Sequence, residues 1–402
     1  MNLLIVCQLY YPENVVITNI AEELVKKGHE VHVLTGLPNY GFDHILEEYK
    51  DVREEEINGV KVHRVKIYAK QKDKFHIIAN YMSYWYNAKR WVRKCKIKFD
   101  VVYSMSLSPV TILAPANLYK KKYHVKHVCH CVDLWPESVL VTNAVKKDTL
   151  FYKILYKWSK SLYGKVDQII IGSPSYEQYF KNVLKLNNDN TVFIPQPPLA
   201  SVDSPIAPHK YEQEGFHILY CGNIGRIQMV EDIPEAMSLV KKDNVYFDII
   251  GMGPLTDKLK ENIIKYHVED KVFYHGPIVA RLSSAYFKSA DALYVSLNSN
   301  GYVGKTIPNK LVMSMAFKKP ILANLDGDGA HMLLKSGGGI LLDEQNPANL
   351  ALKIEKIADL DNKVLNTMGE KNYRYYLDNF HIDSVSDKIE KVLLANCVKE
   401  SI

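Results

Sequence analysis

Short apolar runs recur along the whole chain, each followed by a stretch with helical spacing, and this rhythm restricts the possible folds more than any other feature. The first set is Leu3 to Cys7, Val31 to Leu34, Val60 to Val65, Val101 to Tyr103, His127 to Val132 and Gln168 to Ile171. The second is His217 to Cys221, Val245 to Ile250, Val272 to Tyr274, Ala292 to Ser296, Pro320 to Ala323 and Gly339 to Leu342. Strands alternating with helices predict parallel, doubly wound sheets of the α/β class. Between the two sets, Pro195 to Gly215 carries Pro197, Pro198, Pro205 and Pro208 and breaks the pattern as a linker does. A chain of 402 residues exceeds one ordinary core and suits two. The expectation is two doubly wound domains, residues 1–200 and 201–380, facing a cleft, with residues 381–402 closing the chain. In that last segment Ile382, Val385, Ile389, Val392 and Leu393 stand at helical spacing, which predicts an amphipathic helix packed on the domains.

Composition removes several classes. A hydrophobic content of 47% with 24% charged residues and no low-complexity tract is that of a folded chain. The first apolar stretch is too short for a signal segment and has no basic residues before it, so a mature cytoplasmic start is expected. No run reaches the roughly 18 apolar residues of a membrane span. Six cysteines, of which Cys129 and Cys131 alone are close, do not make a secreted disulfide framework. Strand alternation sets those two thiols on one face and His130 on the other, which disfavours zinc. The first strand leads into Tyr11-Pro12-Glu13-Asn14 and not into a G-x-G-x-x-G turn, so a dinucleotide cofactor is disfavoured too.

In open α/β sheets ligands bind beyond the carboxyl ends of the strands, and several strand ends here carry residues suited to chemistry. In Tyr220-Cys221-Gly222-Asn223-Ile224-Gly225-Arg226 the glycines let backbone N–H groups approach a phosphate, and Arg226 offers a fork of donors that matches its oxygens. Pro308-Asn309-Lys310 opens a helix. Pro308 fits its first turn, and Lys310 stands among backbone N–H groups in a position that favours an anion. Asp133 and Glu137, released at the end of the His127 to Val132 strand, are acid/base candidates, with helix capping as the alternative for Asp133. Gly36 to Gly41, holding Pro38, Asn39 and Tyr40, makes either a plain turn or a ligand-facing loop. The same two alternatives hold for the turns with Gly251 and Gly253 and with His275.

Taken in order, Leu37 to Tyr40, Asp133 to Ser138, Gly222 to Arg226 and Pro308 to Lys310 resemble the signature segments of family 4 glycosyltransferases of the GT-B fold. The likeness is to the branch that builds bacterial surface polysaccharides, capsule and O-antigen among them, and it extends over almost the whole chain. It implies an N-terminal acceptor-binding and a C-terminal nucleotide-sugar-binding domain, both Rossmann-like. The implied reaction is retaining transfer of a hexose or N-acetylhexosamine from a nucleotide-diphosphate sugar, UDP being the expected nucleotide, to a polyprenyl-diphosphate-linked saccharide. The resemblance assigns Asp133 and Glu137 to catalysis, and Pro38, Asn39 and Tyr40 to the acceptor side. Gly222, Asn223, Gly225, Arg226, Gly251, Gly253, His275, Pro308, Asn309 and Lys310 fall to the donor, with Arg226 and Lys310 neutralising the departing diphosphate. No Asp-x-Asp metal motif is identified, so neither metal nor cofactor is expected beside the nucleotide-sugar co-substrate.

One departure stands out. The family places two glutamates eight positions apart where this chain has Lys305 and Met313, and neither side chain accepts a hydrogen bond as a carboxylate does. Either the donor is held differently, with Lys305 and Lys310 on the diphosphate, or the chain is a non-catalytic GT-B partner that stabilises or targets an active transferase. A sugar-nucleotide epimerase would need two carboxylates and a histidine around the sugar, which His275 alone does not supply.

The net charge of +6 is unevenly spread: residues 1–200 hold 28 Lys+Arg against 19 Asp+Glu, giving +9, and the remainder 23 against 26, giving −3. A basic half faces an anionic partner. No nucleic-acid motif is present, and the basic residues mix with large aromatics, which suits an acidic membrane surface. Tyr84, Trp85, Tyr86 and Trp91 interleave with Lys89, Arg90, Arg93 and Lys94; Phe151, Leu155, Trp158 and Leu162 share a helical face beside Lys153, Lys157 and Lys160. Each is equally compatible with a core stripe flanked by solvated lysines. The expected location is cytoplasmic, peripheral on the inner face of the cytoplasmic membrane.

Overall fold

The computed structural model describes the chain except for residues 42, 72, 142–145, 148, 187–189, 199–204, 300 and 398–402, so the expected boundary at 200/201 lies outside the described residues. The chain divides into two compact units, Met1–Gln196 with Ile382–Ile402, and Pro197–His381.

The first unit holds β1 (Asn2–Val6), β2 (Glu30–Gly36), β3 (Glu54–Ile57), β4 (Val60–Val65), β5 (Val101–Ser106), β6 (Lys126–Cys131), β7 (Gln168–Ile171) and β8 (Thr191–Phe193). They pair in the order β3-β4-β2-β1-β5-β6-β7-β8, parallel throughout except for β3 against β4. The run Leu3 to Val6 shows why a continuous apolar strand becomes central. Leu3 and Ile5 join one buried cluster with helix α1 (Val16–Lys26), while Leu4 and Val6 join another with α2 (Lys74–Lys94) and α3 (Leu113–Tyr123). Full burial of each aliphatic side chain is worth about 1.5–3 kcal/mol, so both faces demand cover. Helix α4 (Leu150–Tyr163) packs beside α3, where Asn117 Nδ2 donates to the Leu162 carbonyl at 3.0 Å.

Two strands of this unit are absent from the sequence expectation. Glu-Glu-Glu-Ile at β3 has no apolar run, yet Asn58 and Gly59, with φ of 49° and 80°, form the two-residue turn that folds it onto β4. As an edge strand it tolerates its carboxylates. The last helix, Ile382–Ala395, lays fully buried Val385, Ile389 and Leu393 into the α1 cluster. Lys27 pairs there with Asp387 and with Glu390 at 3.4 Å, and His29 meets Glu390 at 2.6 Å.

The second unit holds β9 (Phe216–Cys221), β10 (Val245–Ile250), β11 (Val272–Gly276), β12 (Ala292–Ser296), β13 (Ile321–Asn324) and β14 (Gly339–Leu341), all parallel, in the order β11-β10-β9-β12-β13-β14. Here too the alternate residues of a strand feed two cores, Ile218 and Tyr220 on one face of β9 and Leu219 on the other. Strand order reverses between β1 and β5 in the first sheet and between β9 and β12 in the second, and such switch points open a crevice at the carboxyl ends. Among the described residues no helix is long and apolar enough to cross a membrane.

Candidate active site

At the switch point of the second unit, the loop after β9 meets helix α5 (Asn309–Ala316), which follows β12. Lys310 Nζ donates to the Tyr220 hydroxyl and, at 3.3 Å, to the Asn223 carbonyl, and it stands 4.4 Å above the Tyr220 ring. Tyr220 in turn donates to the Asn223 carbonyl at 2.6 Å. Burial against this loop pushes the Lys310 ammonium down to about 8. Pro308 stands one position before the expected place: it is the N-cap, with φ −75° and ψ 138°, and Asn309 is the first helical residue.

Glycine is required where the loops touch. A Cβ on Gly222, at φ 149°, would collide with the Lys310 side chain, and one on Gly251, at φ 141°, would overlap the Gly222 carbonyl. The three strand ends are tied by backbone bonds: Gly222 N–H to Ile250 O at 2.9 Å, Gly251 N–H to Gly276 O at 3.0 Å, and Ile224 N–H to Met252 O at 3.1 Å. The structure thus brings Gly222, Asn223, Gly251 and Lys310 together. Gly253 abuts the Ile224 carbonyl and Gly225 the side chains of Asn223 and Gln228. Arg226 and Asn309 are exposed, and Arg226 makes no ion pair among the described residues.

His275 is differently committed. Its Nε2 lies 2.6 Å from Oδ1 of the fully buried Asp248, whose Oδ2 meets His217 Nδ1 at 2.8 Å. Burial pushes the Asp248 carboxyl up, but the two imidazole hydrogen bonds outweigh it and hold the group below the usual carboxylate range. The Nε2 of His275 is therefore spent on the protein itself. At the positions of the missing glutamates, Lys305 is exposed and Met313 is packed against the apolar cluster behind α5. Two Asp-x-Asp pairs do occur, correcting the expectation from sequence, but Asp326 and Asp361 are helix N-caps and Asp359 pairs with Lys242. Among the described residues no group of three or more His, Cys, Asp or Glu is placed to hold a metal ion.

In the first unit, Asp133 follows β6 and is half-buried. Its Oδ2 accepts from the Ser108 N–H at 3.0 Å and the Ser108 hydroxyl at 2.8 Å, while Ser108 Oγ accepts from Trp135 Nε1 at 2.8 Å. Asp133 is thus fixed by the turn after β5, and its Oδ1 has no partner among the described residues. Ser108 went unrecognised in the sequence, although a polar residue just beyond a central strand was the available signal. Glu137 opens a short helix and accepts from the Tyr152 hydroxyl at 2.9 Å. Pro38 and Asn39 are buried, and Asn39 spends its amide on Leu37 O, Asn80 and Lys70 N–H, so of that trio Tyr40 alone is exposed. Glu13, also missed, holds this loop by accepting from the N–H groups of Tyr10, Asn39 and Tyr40 at 3.2, 2.9 and 2.6 Å.

Asp133→Asn keeps the shape and the Ser108 contact but removes the charge. Its expected result is a fall in kcat/KM of about 10²–10⁴, the range of a positioned acid or base, with an unchanged melting temperature. An activity within threefold of the parent would remove Asp133 from the chemistry.

Comparison with known proteins accords with this geometry. The family model Glycosyltransferase Family 4 matches residues 14–197, and Glycosyl transferases group 1 matches residues 205–375. Over 299 residues the chain is 28% identical to the probable glycosyltransferase WbjE of Pseudomonas aeruginosa, covering 69% of this chain and 72% of WbjE. HepE of Anabaena, solved with UDP and glucose, superposes with a TM-score of 0.66 at 14% identity, over 98% of this chain and 100% of that one. WaaG, a glycosyltransferase involved in lipopolysaccharide biosynthesis, gives 0.67 at 12% identity, over 98% and 99%. The fold is GT-B, and the protein is a glycosyltransferase. Within that class it is similar to family 4.

Proposed function

We propose that the enzyme transfers a hexose or N-acetylhexosamine, with retention at the anomeric carbon, from a UDP-sugar to a polyprenyl-diphosphate-linked saccharide at the inner face of a bacterial membrane, as a step in surface polysaccharide synthesis. The observation that carries the donor half is the half-buried Lys310 ammonium, held at the switch point against the glycine turn after β9 by the Tyr220 hydroxyl and the Asn223 carbonyl. As the glycosidic bond to the diphosphate breaks, negative charge grows on the leaving oxygens. A cation fixed in place beside those oxygens stabilises that charge more than it stabilises the ground state. Exposed Arg226 supplies bidentate donors to the same diphosphate. Support for UDP comes from HepE, which binds it; support for the polysaccharide comes from the relation to WbjE and the WaaG fold.

No metal ion takes part in this proposal, since Lys310 and Arg226 carry the neutralising role. With Met313 in place of a carboxylate, recognition of the ribose is weak and the phosphates dominate donor affinity. Calorimetric titration with UDP and GDP tests this. Micromolar binding of UDP, at least tenfold tighter than GDP, is the expected result. A folded protein that binds neither nucleotide would overturn the donor assignment and favour a non-catalytic partner.

A further inference from the structure

The first unit contains a cavity of about 810 Å³, remote from the strand ends that carry Asp133. It lies among α2, α3 and α4 and the amino-terminal ends of β6 and β7, with Trp85 and Trp158 as its aromatic walls. Lys89, Lys120, Lys121, Lys126 and Lys165 line it, against a single carboxylate, Asp167. Asp167 is shared by Lys120 at 2.7 Å and Lys126 at 3.1 Å, whereas Lys89, Lys121 and Lys165 make no ion pair among the described residues.

Lysines near helix carboxyl ends often serve only to offset the helix dipole. That task falls here to Lys122, which lies outside the cavity lining and donates to the carbonyls of Val92, Arg93 and Cys95 at 3.2, 3.0 and 2.6 Å. Of the lining lysines, Lys120 also donates to the Lys165 carbonyl at 2.8 Å and Lys89 Nζ stands 4.3 Å from the Trp85 ring centroid, which leaves the ammonium groups of Lys121 and Lys165 without a partner among the described residues. Lys89 registers the crowding: burial, then Arg93 and Lys165, draw its ammonium below the ordinary lysine value.

The walls continue into apolar surface. On α2, Phe75, Ile78, Met82 and Tyr86 are exposed and fall on the same side as the cavity-lining Trp85 and Lys89 at helical spacing. On α4, Leu150, Phe151 and Ile154 are exposed on the side of Trp158, and Lys165 follows in the turn after the helix. Phe75 and Leu150 each keep 75% of their surface in solvent, more than an ordinary core stripe leaves out. An aqueous phosphate would have no use for that surface; a lipid has use for both.

We propose that this cavity binds the phosphate of an anionic phospholipid headgroup, with the apolar stripes of α2 and α4 lying in the same membrane interface. The proposal deepens the membrane partner named above and rests on it, while donor binding in the second unit is independent of it. Tryptophan at a headgroup level and lysine reaching towards phosphate are the usual chemistry of such contact.

The test is vesicle flotation of the full chain with phosphatidylcholine alone and with phosphatidylcholine carrying phosphatidylglycerol, beside calorimetric UDP binding. The double variant Lys121→Glu, Lys165→Glu is compared with Lys26→Glu, Lys391→Glu, which makes the same charge change on α1 and the last helix, over the other face of the sheet. The expected result is binding to the anionic vesicles only. The cavity variant should lose at least about tenfold, the control less than about threefold, and UDP affinity should not move in either. Equal losses in the two variants would reduce the effect to diffuse charge and overturn the site. Binding of glycerol phosphate in the cavity without any vesicle uptake would overturn the lipid assignment in favour of a soluble phosphate.

Discussion

Replacing Lys310 with methionine is expected to cost UDP binding at least about 2 kcal/mol, roughly thirtyfold, while raising the stability of the second unit. The loss follows from removing a charged donor to the diphosphate, a hydrogen bond worth about 1.5–3 kcal/mol. The gain follows from burial, which lowers the ammonium from 10.5 to about 8. For a base whose folded value lies below its unfolded value, the native state is penalised while both forms are protonated, below pH 8, and the penalty fades as pH rises towards 10.5. At neutral pH methionine relieves on the order of 2 kcal/mol, or a few degrees in the melting transition. Binding has the opposite pH dependence: a diphosphate restores the proton, so parent affinity is flat below about pH 8 and falls above it. Calorimetry from neutral to alkaline pH, with thermal unfolding of both proteins, checks the pair of effects. A variant that binds UDP as the parent does would exclude Lys310 from the donor site.

Gly251→Ala has the second large effect. Its Cβ would overlap the Gly222 carbonyl at a backbone angle that side chains rarely adopt, so the turn that positions Lys310 must move. A destabilisation above about 3 kcal/mol and loss of UDP binding are expected. Gly276→Ala is the matched control. It also has positive φ, 73°, at the end of the adjoining strand, but its Cβ meets nothing within 4 Å. That substitution should cost only about 1–2 kcal/mol and leave nucleotide binding in place. Thermal unfolding with and without UDP separates the two, and equal behaviour would show that close packing of Gly222 on Gly251 does not build the site.

The fold was legible because buried parallel strands must be apolar on both faces. Leu3 to Val6 and His217 to Cys221 could not lie half exposed, and their spacing left room for crossover helices. What escaped notice was charged or short: β3, whose glutamates sit at an edge, and β8, three residues long. In the site, Lys310 and Gly222 were legible from strand ends and helix starts, whereas the roles of His275 and Asn39 were not. Both side chains turn into the protein, His275 to Asp248 and Asn39 to Asn80, and neither partner is near in sequence.

By itself, then, the sequence determined the strand–helix alternation, the two α/β units, the family likeness and the loss of both family glutamates, because each of these is written in local composition and spacing. Only the tertiary structure decided that the last helix packs against α1 in the first unit. The same holds for Ser108 bonding to Asp133 and for Met313 packing against the apolar cluster while Lys310 rests on Tyr220. It also gathered lysines from α2, α3 and the turn after α4 around one cavity. Each of these depends on groups far apart in the chain meeting where burial and hydrogen bonding outweigh the entropy of holding them, which no local stretch specifies.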